Sequence, residues 1–209
     1  MIKLAILWIL WCALHSWLIS MTVTGWLRNH LGDRYRYYRL TYNLFAMATL
    51  IPILDYSLSL SGPALISWQR EGMIVRWLLL AVCGGLFMAG ARHYDLKLLV
   101  GIRQARTGGH HATLNPVGEL DSSGIMGVTR HPWYLASLLL VWTIHRTIDL
   151  PALIVSTILS LYLVVGTVLE ERKLVREHGD TYRNYQRDVS MIIPFRYLSN
   201  LVGRRTGRR

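Results

Sequence analysis

The sequence predicts an all-α, polytopic membrane protein with about five transmembrane helices, the last two forming a C-terminal hairpin that leads into a polar cytoplasmic segment. Two observations carry this. Residues 4–27, LAILWILWCALHSWLISMTVTGWL, and 150–169, LPALIVSTILSLYLVVGTVL, contain no Asp, Glu, Lys or Arg, and each matches the roughly 20 residues a helix needs to cross a bilayer. The cations are also unevenly placed: residues 28–39 hold four Lys/Arg, 92–130 hold five and the chain from 172 holds ten, against four everywhere else. That alternation fits five spans with the C-terminus inside.

Taken in order, the first span is 4–27. Its apolar run exceeds the ~7–15 residue core of a cleavable signal peptide, so it is expected to stay. The second, 40–60, holds one acid, Asp55, near its end. The third, 77–91, is short and bracketed by Arg76 and Arg92, whose side chains can snorkel. The fourth, 132–144, is shorter still. It turns through HRTIDLP into the fifth, 150–169, where Asp149 can cap the helix and Pro151 suits its first turn. The expected organisation is three N-terminal spans in 1–92, a cytoplasmic loop in 93–131, the hairpin with its polar segment in 132–195, and a basic tail in 196–209.

Membrane topology accounts for the net charge of +11, so the partner it implies is the lipid bilayer and not nucleic acid. Cys12 and Cys83 lie in different spans without paired spacing and read as packing residues. The loop passes through TGGHHATLNPVGELDSSG, too rich in Gly, Ser and Asn for a regular element. Its adjacent His110 and His111 lack an acidic or Cys partner at ligand spacing, so no metal site is expected and the stretch reads as a solvated lid.

Polar residues gather at the hairpin's open end. The stretch TRHPWYLASLLL, 129–140, brings Arg130 and His131 to the mouth of an apolar helix, and EERKLVREHGDTYRNYQRDVSMIIPF, 170–195, follows the fifth span. An antiparallel hairpin returns Arg130, His131, Glu170 and Glu171 to one bilayer face. Gly179 reads as a helix stop, after which Tyr182 and Tyr185, three apart, share a face. A plainer alternative is that the glutamates sit in headgroup water and the tyrosines mark interface depth. Charges this close to hydrocarbon are costly and more often functional.

Arg130 suits a carboxylate, the glutamates suit diol hydroxyls or an ammonium, and Tyr134, Tyr182 and Tyr185 offer aromatic faces to a base or sulfonium. S-adenosyl-L-methionine has all of these parts. The order GVTRHPWYLA, hairpin, EERKLVREHGDTYRNYQ and IIPF also resembles the C-terminal signature of the membrane methyltransferases that include isoprenylcysteine carboxyl methyltransferase and the phospholipid N-methyltransferases, over about residues 124–195. The resemblance implies a cofactor-binding segment formed by Thr129, Arg130, His131, Tyr134, Leu135, Glu170, Glu171, Tyr182 and Tyr185, with Arg130 and Glu171 catalytic. Ala136 departs from the Gly usual there, and His178 from the commoner Phe.

ALHSWLIS and YRYYRLTYNLFA in the N-terminal half resemble instead the NnrU and nurim-like relatives, a grouping that includes methanethiol S-methyltransferase. The expected activity is methyl transfer from S-adenosyl-L-methionine to a lipophilic or small nucleophile (thiol, carboxylate or lipid amine) at the cytoplasmic face. His15, Arg39 and Asn43 are the candidate acceptor-side residues, with Arg36 and Tyr42 beside them. The alternative is an NnrU-like haem-binding isomerase or redox-maturation protein with His15 and His131 as axial ligands.

Overall fold

The structure is a computed structural model that describes residues 1–108 and 122–205; His110 and His111 lie outside the described residues. The described chain is almost entirely helical. In order it forms α1 (Ile2–Leu18), α2 (Met21–Leu31), a 3₁₀ turn (Gly32–Tyr37), α3 (Tyr38–Ser59), β1 (Ile66–Ser67), α4 (Glu71–Ala91), α5 (Leu96–Val100), α6 (Ile102–Thr107), a second 3₁₀ turn (Gly124–Gly127), α7 (Pro132–Thr143), β2 (Thr147–Ile148), α8 (Leu150–Asp188) and α9 (Phe195–Arg205). It divides into two compact units, Met1–Ser67 with Tyr94–Val117 and Thr147–Ile158, and Trp68–His93 with Gly118–Arg146 and Leu159–Arg209.

In the first unit, Leu4, Trp8 and Cys12 recur every fourth residue and bury one face of α1. Within this apolar layer Trp8 Nε1 donates to Ser57 Oγ at 3.0 Å and Trp11 Nε1 to Thr49 Oγ1 at 3.2 Å, which ties α1 to α3. The single span expected over 4–27 is broken. Ser20 adopts an extended backbone and its hydroxyl accepts the Val23 N–H, an N-cap that starts α2 afresh. α1 and the helical stretch after the break are bent by 52°. The loop expected from residue 93 also contains two short helices. Asp95 caps α5 by accepting the Leu98 N–H at 3.0 Å, and Gly101, at φ +96°, turns the chain into α6. A side chain at Gly101 would meet the backbone nitrogen of Leu40 at 2.6 Å, so this turn sits directly on the start of α3. The short β1–β2 pair is antiparallel, Ile66 facing Ile148. Asp149 caps α8 as expected, accepting the Ala152 N–H at 3.0 Å, and also accepts the Gly62 N–H at 3.0 Å.

In the second unit α4 lies against α7. Trp133 Nε1 donates to the Phe87 carbonyl at 3.0 Å, and a Cβ on Gly90 would come within 2.5 Å of the Trp133 indole. Arg76 does more than snorkel: its guanidinium donates to the carbonyls of Thr143 at 2.7 Å and Ile144 at 2.8 Å, the open C-terminal end of α7. α7 and α8 form the expected hairpin, with Trp142 Nε1 donating to Ser160 Oγ at 2.9 Å and the Tyr134 ring packed over Gly166.

Two helices, α4 and α8, are long and apolar enough to cross a membrane, and a third span arises if the bent pair Ile2–Leu18 and Met21–Ser59 is one broken crossing. α7, at 12 residues, is apolar but shorter than a crossing helix. The apolar windows of α4 and α8 are mostly unburied, so their side chains face outward, as they must in lipid. We expect Gly90→Ala to destabilise the protein by about 1–3 kcal/mol through overpacking against Trp133, measured by thermal unfolding in detergent. Gly84→Ala and Gly85→Ala, where an added Cβ meets nothing within 4 Å, should leave the midpoint unchanged or slightly higher.

Candidate active site

The polar end of the hairpin is assembled from three segments of the second unit. The 3₁₀ turn Gly124–Gly127 delivers Thr129–His131 to the start of α7, where Pro132 occupies the first turn. This stretch is not free. Thr129 bridges in parallel to Ser190, the Arg130 N–H donates to the Ser190 carbonyl at 3.0 Å, and the His131 N–H donates to the Met191 carbonyl at 3.1 Å. The Thr129 hydroxyl lies 2.7 Å from the Ile192 carbonyl and 3.1 Å from that of Met191. Thr129 is fully buried, and its hydroxyl finds its partners in these carbonyls.

α8 supplies the other side. Its apolar part, 150–169, ends at Glu170 and Glu171, and the helix continues to Gly179, whose φ of +57° and ψ of −129° break it. Any residue with a Cβ is strained in that conformation, although the space around Gly179 is open. The helical stretch beyond the break, 180–188, brings Tyr182 and Gln186 back onto Glu171.

Glu171 is the centre. Arg130 grips it bidentately, Nε to Oε1 at 3.0 Å and Nη2 to Oε2 at 2.7 Å. Tyr182 donates its hydroxyl to Oε1 at 2.7 Å and Gln186 donates Nε2 to Oε2 at 2.5 Å. His131 Nε2 also lies 2.7 Å from Oε1, a hydrogen bond that requires the proton on that nitrogen. The remaining guanidinium nitrogen, Nη1, donates to the carbonyls of Gln186 and Val189. Arg130, His131 and Glu171 are buried and Tyr182 is 1% exposed. Burial by itself would raise the Glu171 carboxyl, but the hydrogen bonds from His131, Arg130, Tyr182 and Gln186 outweigh it and hold the group well below the usual carboxylate range. Burial and the adjacent carboxylate push the Tyr182 phenol far upward, so it stays a neutral donor.

The other expected site residues are spread around this centre. Tyr134 meets the His131 ring edge-on at 5.5 Å, Leu135 is half-buried on the same helix, and the Tyr185 hydroxyl donates to the Met126 carbonyl at 2.6 Å, bracing the 3₁₀ turn. Tyr182 and Tyr185 pack edge to face at 5.7 Å within the cluster that includes Val189. Glu170, next to the saturated Glu171, is half-buried and hydrogen-bonds to none of the described residues. His15, Arg39 and Asn43 belong to the first unit. The His15 ring stacks on Trp11 at 4.9 Å and lies 2.8 Å from the Tyr42 hydroxyl. Arg39 Nε donates to the Leu99 carbonyl at 3.1 Å, and Asn43 donates to Leu99 at 3.1 Å and Val100 at 2.9 Å, together covering the end of α5.

Sequence reasoning missed Gln186 and the carbonyls of 190–192. Gln186 was within reach, since it lies four residues after Tyr182 and so on the same helical face; nothing in VSMIIP marks it as a strand-like partner for Thr129.

Removing the charge with Glu171→Gln leaves Arg130 buried without a counterion and should cost about 3–5 kcal/mol, read as a lower thermal midpoint. A depressed carboxyl stabilises the folded state at every pH above its unfolded value, about 4.3. That stability is lost only as pH falls below this value towards the depressed one. The gap between native protein and Glu171→Gln should therefore be constant from pH 8 to about 5 and close progressively below about 4.

Comparison with known proteins adds the family. The chain is 31% identical over 135 residues to the methanethiol S-methyltransferase of Pseudomonas deceptionensis, covering 61% of this chain and 49% of that protein. It is 31% identical over 103 residues to the one from Crocosphaera subtropica, covering 49% of this chain and 38% of that one. It is 32% identical over 136 residues to methanethiol S-methyltransferase 2 of Bradyrhizobium diazoefficiens, covering 61% and 49%. The chain thus spans about half or less of the length of these curated relatives. No solved structure matches it. The model of the family described as "Protein of unknown function (DUF1295)" matches residues 2–189, nearly the whole chain and every side chain that reaches Glu171, and the protein belongs to that family.

Proposed function

We propose that the protein is a multi-pass integral-membrane methyltransferase that uses S-adenosyl-L-methionine to methylate a small or lipophilic nucleophile at the cytoplasmic face of a bacterial inner membrane. The carrying observation is the buried Arg130–Glu171 pair with His131 and Tyr182 at the mouth of apolar α7. It occurs in a chain similar to proteins named for methylating methanethiol. Among thiol, carboxylate and lipid amine acceptors, those names favour the thiol.

The donor set fits the cofactor. Glu170, a half-buried carboxylate with no partner among the described residues, is available to an ammonium or a ribose diol, and Tyr134 beside His131 offers an aromatic ring to a sulfonium. When bound, S-adenosyl-L-methionine supplies an electrophilic methyl group. Arg130 and Glu171 satisfy one another, so their part is to hold His131 and the start of α7 in place and keep the pocket wall rigid. The apolar helices exclude water. A thiolate acceptor needs no general base.

The direct test is to incubate purified protein with isotopically labelled methyl donor and, separately, methanethiol, a long-chain thiol, a fatty carboxylate and phosphatidylethanolamine. Label in a thioether product is expected; label in none of the four would defeat the reading. Glu170→Gln should weaken binding of S-adenosylhomocysteine by about tenfold or more, the loss of a charge-assisted hydrogen bond, while leaving the thermal midpoint unchanged.

A further inference from the structure

We propose that α9 is an interfacial anchor that lies on a leaflet of anionic lipid. Phe195, Leu198, Leu201 and Val202 fall on one side of this helix. They are 65%, 52%, 41% and 61% exposed, and Ile193 just before them is 51% exposed. In a helix docked on its own protein this face would be covered. The charge pattern selects the occupant. Residues 189–209 contain five arginines, at 196, 204, 205, 208 and 209, and no Asp, Glu or Lys. Two copies of such a segment repel each other, whereas anionic headgroups attract it and the acyl boundary takes its apolar side.

The anchor is wired to the polar centre. The Arg196 N–H donates to Ser190 Oγ at 3.1 Å and its Nη1 to the Gln186 carbonyl at 3.3 Å. Ser190 and its neighbours hold Thr129–His131, so α9 on the leaflet sets the depth at which that segment is held. The inference does not depend on methyl transfer.

The test uses the full chain in nanodiscs of phosphatidylcholine, with or without phosphatidylglycerol. Leu198→Cys carries an environment-sensitive fluorophore, with identically treated wild-type protein as the labelling control for Cys12 and Cys83. Blue-shifted emission quenched by doxyl-lipid in the phosphatidylglycerol discs, weakening as salt is raised, is the expected result. Arg204→Gln combined with Arg205→Gln should lower the ratio of surface-bound to free helix by roughly 25-fold, about fivefold per arginine. Quenching by aqueous iodide in both lipids overturns the proposal, as does shielding that ignores lipid charge and follows the number of copies per disc. Backbone hydrogen exchange over 195–205 in the unmodified protein gives the same decision without the fluorophore. Protection confined to phosphatidylglycerol discs supports the anchor, and equal exchange in both overturns it.

Discussion

The carboxylate of Glu171 is the constraint around which the second unit's polar end is built. Taking a carboxylate and a guanidinium out of water costs several kcal/mol per ion, and the pair persists because Arg130, His131, Tyr182 and Gln186 all converge on two oxygens. The four donors arrive by two backbone routes. Arg130 and His131 come from the segment clamped to 190–192, and Tyr182 and Gln186 come from a stretch that can face Glu171 only because the helix breaks at Gly179. Loss of either route leaves buried charge incompletely satisfied.

This geometry divides labour between two adjacent acids. Glu171 is saturated by donors from the protein itself, while Glu170, the residue before it, hydrogen-bonds to none of the described residues. In the first unit the same accounting runs differently. The polar groups His15, Arg39 and Asn43 sit among apolar helices, and each has an identifiable protein partner in Tyr42 or the end of α5.

What could be read from residues alone followed from strong local signals. The uncharged stretch 150–169, the Asp149 cap and the Gly179 break are each dictated by one or two side chains, and the meeting of residue 130 with residue 171 followed from their places at the two ends of a hairpin. The Ser20 break was not legible, because no charge or proline marks it and a single hydroxyl decides the matter. The helices α5 and α6, five and six residues long, are too short to show periodicity. The Tyr185 hydroxyl reads as a ligand-facing group on its helix, yet it is spent on the Met126 carbonyl, a partner 59 residues away. Long-range pairings of extended backbone, such as Thr129 with Ser190, leave no pattern in either stretch.

That pairing has a bearing on how the molecule comes together. Segments about sixty positions apart must be brought into register before Arg130 loses its water, and closing a loop of that size carries an entropic cost that nearby contacts do not. During synthesis the α7 end of the hairpin therefore leaves the ribosome with its cation still hydrated, and the centre can close only after 190–192 has followed.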